Sequence, residues 1–148
     1  MAHWLMKSEP SVYPWSQLVK EGRTSWNGVR NYQANNNMKA MRLGDEAFFY
    51  HSNVVRAIVG IMKVVKLWHP DPSAATGRFG MVDVAPVKAL KRHVTLAEIK
   101  ASANLQDLAL LKQSRLSVCP ISDHAWEIIL QVAAVPACDV PRKPHQPL

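Results

Sequence analysis

Cysteine is scarce in this chain, and the two residues present, Cys119 and Cys138, follow no metal-ligand spacing. Set among Val, Pro and Ala, they read as reduced thiols rather than a disulfide framework, which points to a reducing compartment. The expected location is the cytoplasm, or the nucleus of a eukaryotic cell. Long apolar runs are missing as well. No stretch approaches the ~18 to 20 residues of a membrane span, and Lys7, Glu9 and Pro10 interrupt the start before a signal-length segment can form. A membrane partner is not expected. The sequence also lacks a Gly-rich phosphate loop, a strand-turn-helix nucleophile elbow and paired Cys or His at zinc spacing. His3, His51, His69, His93, His124 and His145 are scattered, so neither a metal nor a cofactor is expected.

Acidic residues are few. Asp and Glu number 11 against 18 Lys and Arg, giving a net charge of +7 and a pI near 9.7. Arg142 and Lys143 of that excess sit in the Pro-rich ending 141–148, which reads as a disordered tail. The balance left on the folded part favours an anionic partner such as nucleic acid, although charge by itself is equally satisfied by solubility.

What is present is enough for one core. A chain of 148 residues with 48% hydrophobic content reads as a single domain over 1–140 followed by the tail 141–148. Residues 3–7 read as a first strand, ended at Pro10 because the residue before proline is pushed out of helix. A short helix is expected from Pro14 or Trp15 to Lys20, stopped by Gly22 in a left-handed conformation. Trp26-Asn27-Gly28 is a turn. Residues 31–41 have helical composition, with Met38 and Met41 as a buried edge, and 46–51 and 57–66 read as paired strands, with Gly60 marking a bulge or a close backbone approach. A long loop is expected over 68–79 and a third strand over 80–90. Thr95 and Glu98 have capping-box spacing for a helix to Ala101. A helical piece near 105–111, a strand over 115–120 and a helix capped by Ser122, burying Trp126, Ile129, Leu130 and Ala133, complete the chain. Strands outnumber long helices and do not alternate with them, which predicts an α+β fold, a small mixed β-barrel with peripheral helices.

Polar and aromatic residues mix at three strand ends or turns, the positions where binding sites concentrate. An unstacked base needs flat apolar walls and a few donors and acceptors for its edge. Trp26, Tyr32 and Tyr50 offer the first; Ser8, Asn31, Ser52 and Asn53 offer the second. Trp4 and Trp126 read as core. Trp26 lies in a turn without periodic apolar neighbours and reads as a site residue, while Glu9 and His51 are equally well explained as local hydrogen-bonding groups. The three segments are expected to surround one concavity.

Seven segments then carry a resemblance: WLMKSEP at 4–10, WNGVRNYQANN at 26–36, GDEAFFYHSN at 44–53, VGIMKVV at 59–65, WHPDP at 68–72, MVDV at 81–84 and RLSV at 115–118. In order and across nearly the whole chain, they resemble the EVE domain family, a branch of the PUA-like fold related to YTH and ASCH domains. The resemblance implies a pocket that reads a modified base, chiefly modified cytosine in DNA and in YTH relatives a methylated adenine in RNA. Carried over residue by residue, Ser8, Glu9, Trp26, Asn31, Tyr32, Tyr50, His51, Ser52 and Asn53 line that pocket, and Lys7, Arg30 and Arg115 meet phosphate or base. The family usually has a longer insertion after PDP, whereas only 73–78 separate Pro72 from Phe79 here. The second wall is therefore expected to be shallower or supplied by Trp68. Two rival functions remain open: a hydrolase of modified nucleosides, as in some ASCH-type relatives, using Lys7, Glu9 and His51 as acid or base, and a peptide-binding groove.

Overall fold

Strand-forming residues and burial coincide along six segments: β1 (His3–Ser8), β2 (Thr24–Ser25), β3 (Glu46–His51), β4 (Ala57–Pro70), β5 (Gly80–Thr95) and β6 (Val118–Ile121). The computed structural model describes residues 2–52, 55–75 and 77–134. The strands form one sheet in the order β2-β5-β4-β3-β1-β6. β1 runs parallel to β3 and the other pairs are antiparallel, so the sheet is mixed. It is not closed. β2 and β6 are its two edges, which corrects the expectation of a complete barrel while leaving the α+β class and the peripheral helices as expected.

Alternation along β3 divides the packing. Phe48 faces α5 (Asp123–Ala134), where it stacks on Trp126 with ring centroids 3.9 Å apart. Phe49 faces the other way, edge-on to Trp15 of α1 (Trp15–Glu21) at 5.4 Å and to Trp26 at 5.5 Å. α2 (Tyr32–Ala40) buries Ala34, Asn35 and Met38. Trp4 and Trp126 are core residues as expected, and Met38 and Met41 are both buried. The remaining helical pieces, α3 (Leu96–Ala101), a 3-10 turn at Ala103–Leu105 and α4 (Ala109–Lys112), follow β5. Thr95 and Glu98 form both bonds of the capping box, and Ser122 accepts the Ala125 N–H at 3.1 Å.

Three segments differ from expectation for identifiable reasons. β4 continues through Trp68 to Pro70, because Pro70 pairs with Gly80 at the strand end, where the lost donor matters least. β5 passes Leu90 to reach Thr95, carrying Pro86 where its register with β4 shifts between Ile61 and Met62. β6 starts only at Val118, which leaves Arg115 in the preceding loop, and β2 is too short to leave a periodic signal.

Gly60 fulfils both readings of its position. Register shifts on either side of it, and a Cβ there would lie 2.6 Å from Trp15 Cη2, inside the ring that packs on Phe49. Gly60→Ala is expected to lower stability by about 1–3 kcal/mol through overpacking, read as a lower urea midpoint at unchanged slope.

Candidate nucleic-acid interface

Three backbone or side-chain groups around Trp26 need acceptors, and each finds one outside its own segment. Ser25 pairs with Asp83 in the β2–β5 ladder and its hydroxyl donates to Asp83 Oδ1 at 2.7 Å. The Trp26 N–H donates to the Val82 carbonyl at 2.8 Å. Gly28, with φ 82, donates its N–H to Asp71 Oδ2 at 2.8 Å.

Both aspartates are buried. Burial raises the Asp71 carboxyl, but the Ser73 hydroxyl, the Gly28 and Ser73 N–H groups and Arg30 outweigh it and hold the group at about 2. Burial acts likewise on Asp83, where bonds from Ser25 and Arg23 and the charge of His69 bring it below the ordinary carboxylate value. Both stay ionised at neutral pH.

The turn so fixed lines a pocket of about 310 Å³ through Ser25, Trp26 and Asn27, together with Lys7, Ser8, Val12, Tyr13, Glu21 and Thr24. That volume is at the lower end of the roughly 300–1,000 Å³ typical of ligand sites. Trp26 is only 8% exposed and belongs to the core cluster, so the expectation of a turn Trp without core neighbours is corrected: it packs edge-on to Phe49 and lines the pocket as well. Tyr13 supplies a second aromatic. Its hydroxyl donates to Glu21 Oε1 at 2.5 Å, and burial together with that bond raises its pKa, so it remains a protonated donor. Ser8 donates to the Tyr13 carbonyl at 2.7 Å and keeps its acceptor lone pairs. Sequence reasoning missed Val12, Tyr13, Glu21, Thr24, Ser25 and Asn27. The signal for Tyr13 was available, an aromatic in the loop directly after Lys7–Glu9.

The other expected residues are distributed. Tyr50, 3% exposed, points to the opposite face of β3 and lines a separate concavity of about 320 Å³ with Lys7, Ser52, Arg56 and Ser114. Asn31 and Arg115 line a third of about 310 Å³ with Lys112 and Ser114. Lys7 borders the first two and Ser114 the last two, so the concavities adjoin, but they are not the single cage expected. Lys7 Nζ donates to the Ser114 carbonyl at 2.7 Å, and burial lowers its ammonium. Glu9 is exposed, its carbonyl accepting from Val12 and Tyr13. Asn31 caps α2 through Ala34 N–H, and the Ser52 N–H donates to the Ser8 carbonyl.

His51 serves the fold. Its Nε2 accepts the Trp15 N–H at 3.0 Å at the start of α1, which places the ring proton on Nδ1. Trp68 does not reach the Trp26 pocket: it donates Nε1–H to Asn35 Oδ1 at 2.8 Å beneath the Lys39 ammonium. Arg30 and Tyr32 sit with Asp71 and Phe79, away from the pocket lining. Asn53 lies outside the described residues, as do Cys138 and the tail. Cys119 is buried with its thiol pushed up to about 11, which makes it a poor nucleophile. Among the described residues no group of His, Cys, Asp and Glu could hold a metal, and no helix is long and apolar enough to cross a membrane.

Fold and site together define a PUA-like α+β module with a ligand-sized pocket that Trp26 and Tyr13 help to line. This chain belongs to the EVE domain family, whose model matches residues 2–132. It is 36% identical to human thymocyte nuclear protein 1, a match covering 88% of this chain and 73% of that protein. A structure of human THYN1 in complex with 5-methylcytosine-containing DNA superposes with a TM-score of 0.83 at 36% identity, covering 90% of this chain and 98% of the other. Rpa0253 of Rhodopseudomonas palustris is 48% identical with a TM-score of 0.84, over 88% and 92% of the two chains. A YTH domain from Zygosaccharomyces rouxii shares the fold at a TM-score of 0.56 and 13% identity, over 89% and 86% of the two chains.

Removing the Asp71 carboxylate takes the shared acceptor from the Gly28 and Ser73 N–H groups, the Ser73 hydroxyl and Arg30 at once. Asp71→Ala should lower the free energy of unfolding by about 1–3 kcal/mol in urea denaturation. His51 adds an acid dependence. Burial, and secondarily the charge of His93, lowers its pKa below 6.5, so the neutral form is favoured in the folded state. Its contribution is complete above pH 6.5 and is lost as pH falls through the lowered folded value. Thermal melts of the parent should fall more steeply from pH 7 to 5 than those of His51→Gln.

Proposed function

We propose that this chain is a reader that holds a modified nucleobase of a nucleic acid in the Trp26 pocket, with modified cytosine in DNA as the first ligand to test and a modified base in RNA as the second. The observation that carries this reading is the pocket itself, lined by Trp26 and Tyr13 with edge groups from Ser8, Ser25, Asn27 and the Tyr13 hydroxyl, adjoining concavities that carry Lys7, Arg56, Lys112 and Arg115. Flat rings answer the faces of an extruded base, polar groups its edge, and cations the phosphates that accompany it. The DNA complex of the human relative agrees with that chemistry.

Hydrolysis fits the geometry less well. Lys7 is bonded to Ser114, His51 is held by the Trp15 N–H and Glu9 is exposed, so these groups do not converge on one reacting atom. Incubation with modified nucleosides, followed by mass measurement, should return them unchanged. A peptide groove is separated by salt. With two to four phosphate contacts the logarithmic salt slope should be about −1.5 to −3.5, and Arg115→Ala should reduce it by about 0.7–0.9. A slope near zero would exclude nucleic acid as the ligand.

The decisive measurement compares affinity for oligonucleotides with and without one 5-methylcytosine. Asn27→Ala, at an exposed position, should preserve the melt and reduce the preference. Trp26→Ala should cost roughly 1–3 kcal/mol of binding, and because the ring also packs on Phe49, Trp26→Phe provides a folded comparison with an intermediate loss. Full discrimination by both folded variants would place the base elsewhere.

A further inference from the structure

Among the Trp, Tyr and Phe side chains Tyr32 alone is exposed, at 57%, and it is not loose. It occupies the first position of α2, directly after the Asn31 cap. Its ring lies 4.9 Å from that of Phe79 at a tilt of 36°, and its hydroxyl accepts from Arg78 Nη1 at 3.4 Å. Phe79 is held from both sides by Asn35, a buried residue that donates to the Arg78 carbonyl at 3.1 Å and accepts the Gly80 N–H at 3.0 Å. The Arg30 guanidinium lies 5.9 Å from the Phe79 centroid, steered there by bonds to Asp71, Ser73 and the Val29 carbonyl. A buried polar network thus presents two aromatic rings and two guanidinium groups at the surface, and the carboxylate within the cluster, Asp71, is itself buried.

A rigid exposed ring backed by a half-buried one, beside fixed positive charge, suits a flat base attached to a phosphate. We propose that Tyr32 and Phe79 form a second stacking platform, which takes a base flanking the one held in the Trp26 pocket, with Arg30 and Arg78 supplying positive charge beside its backbone. This rests on the reader function proposed above. Tyr32 is six positions after Trp26, so their Cα atoms are no farther apart than about 22 Å, within reach of one short strand. Asp71 joins them, accepting from Gly28 on the pocket side and from Arg30 on the platform side.

The platform requires a base next to the modified one, whereas the pocket does not. The test uses the full chain, an oligonucleotide containing one 5-methylcytosine with 2-aminopurine at each flanking position in turn, and the free nucleoside 5-methyl-2′-deoxycytidine. The parent should change 2-aminopurine fluorescence at one or more flanking positions. Tyr32→Ala should abolish that change and weaken oligonucleotide binding about 5- to 100-fold, with the preference over unmodified DNA and the nucleoside affinity unchanged; Tyr32→Phe should restore the binding. Arg30→Gln should weaken the oligonucleotide and spare the nucleoside. If the parent discriminates the modified oligonucleotide but Tyr32→Ala binds it equally well, or loses nucleoside binding to the same degree, the platform is refuted and the reader survives. If the parent discriminates none of the oligonucleotides, both readings fall.

Discussion

Asp71 is buried and ionised together, a combination that only a sufficient set of donors sustains, and its donors come from segments far apart in sequence. Gly28, forty-three residues away, supplies one N–H; Ser73 supplies two groups and Arg30 its guanidinium. The turn carrying Trp26 belongs to no long strand, so its backbone groups depend on acceptors from elsewhere. Asp71 and the Val82 carbonyl provide them, and Asp83 anchors the preceding Ser25. Two buried carboxylates therefore determine where this wall of the pocket stands.

The sheet imposes the second constraint. Parallel pairing of β1 with β3 brings Ser8 level with His51 and Lys7 level with Tyr50, and strand alternation then sends the two pairs to opposite faces. Ser8 reaches the Trp26 pocket, while Tyr50 and the Lys7 ammonium lie toward α3, α4 and Ser114. One strand end consequently serves two concavities. Gly60 is part of the same arrangement, because only a residue without Cβ lets Trp15 lie flat enough on β4 to brace Phe49, which in turn braces Trp26.

Local signals were legible in the sequence wherever the structure is local. The left-handed stop at Gly22, the Thr95–Glu98 box, the Ser122 cap and the special status of Gly60 rest on neighbouring residues and were readable as such. The open sheet and the β1–β3 pairing depend on non-local contacts that no window contains. Tyr50 shows the same limit at the site: its position at a strand end was plain, but the face it takes follows from register. Tyr32 was drawn to the pocket by being aromatic near Trp26 in sequence, and Trp68 by the family resemblance and the short loop after Pro72, while Asn35 and Phe79, which hold them elsewhere, carry no sequence signal of that role.

For a reader of this build, affinity and selectivity have separate origins. A single methyl group distinguishes a modified base from its parent, and burying it is worth only about 1 kcal/mol. Stacking on an aromatic ring is worth about 1–3 kcal/mol and is blind to the modification, as are phosphate contacts. Strong discrimination would therefore require the pocket edge to leave a polar group unpaired when the wrong base enters, since an unsatisfied buried group costs about 1–3 kcal/mol. Ser8, Ser25 and the Tyr13 hydroxyl are already bonded to Tyr13, Asp83 and Glu21, so their donor hydrogens are committed before any ligand arrives. Their remaining lone pairs would accept from a base at little cost when none binds, and the Asn27 amide adds one acceptor and two donors. A pocket edged in this way would favour an exocyclic amine, the group that cytosine, adenine and guanine share and thymine lacks, and would leave the choice between modifications to the shape of the space beside Trp26.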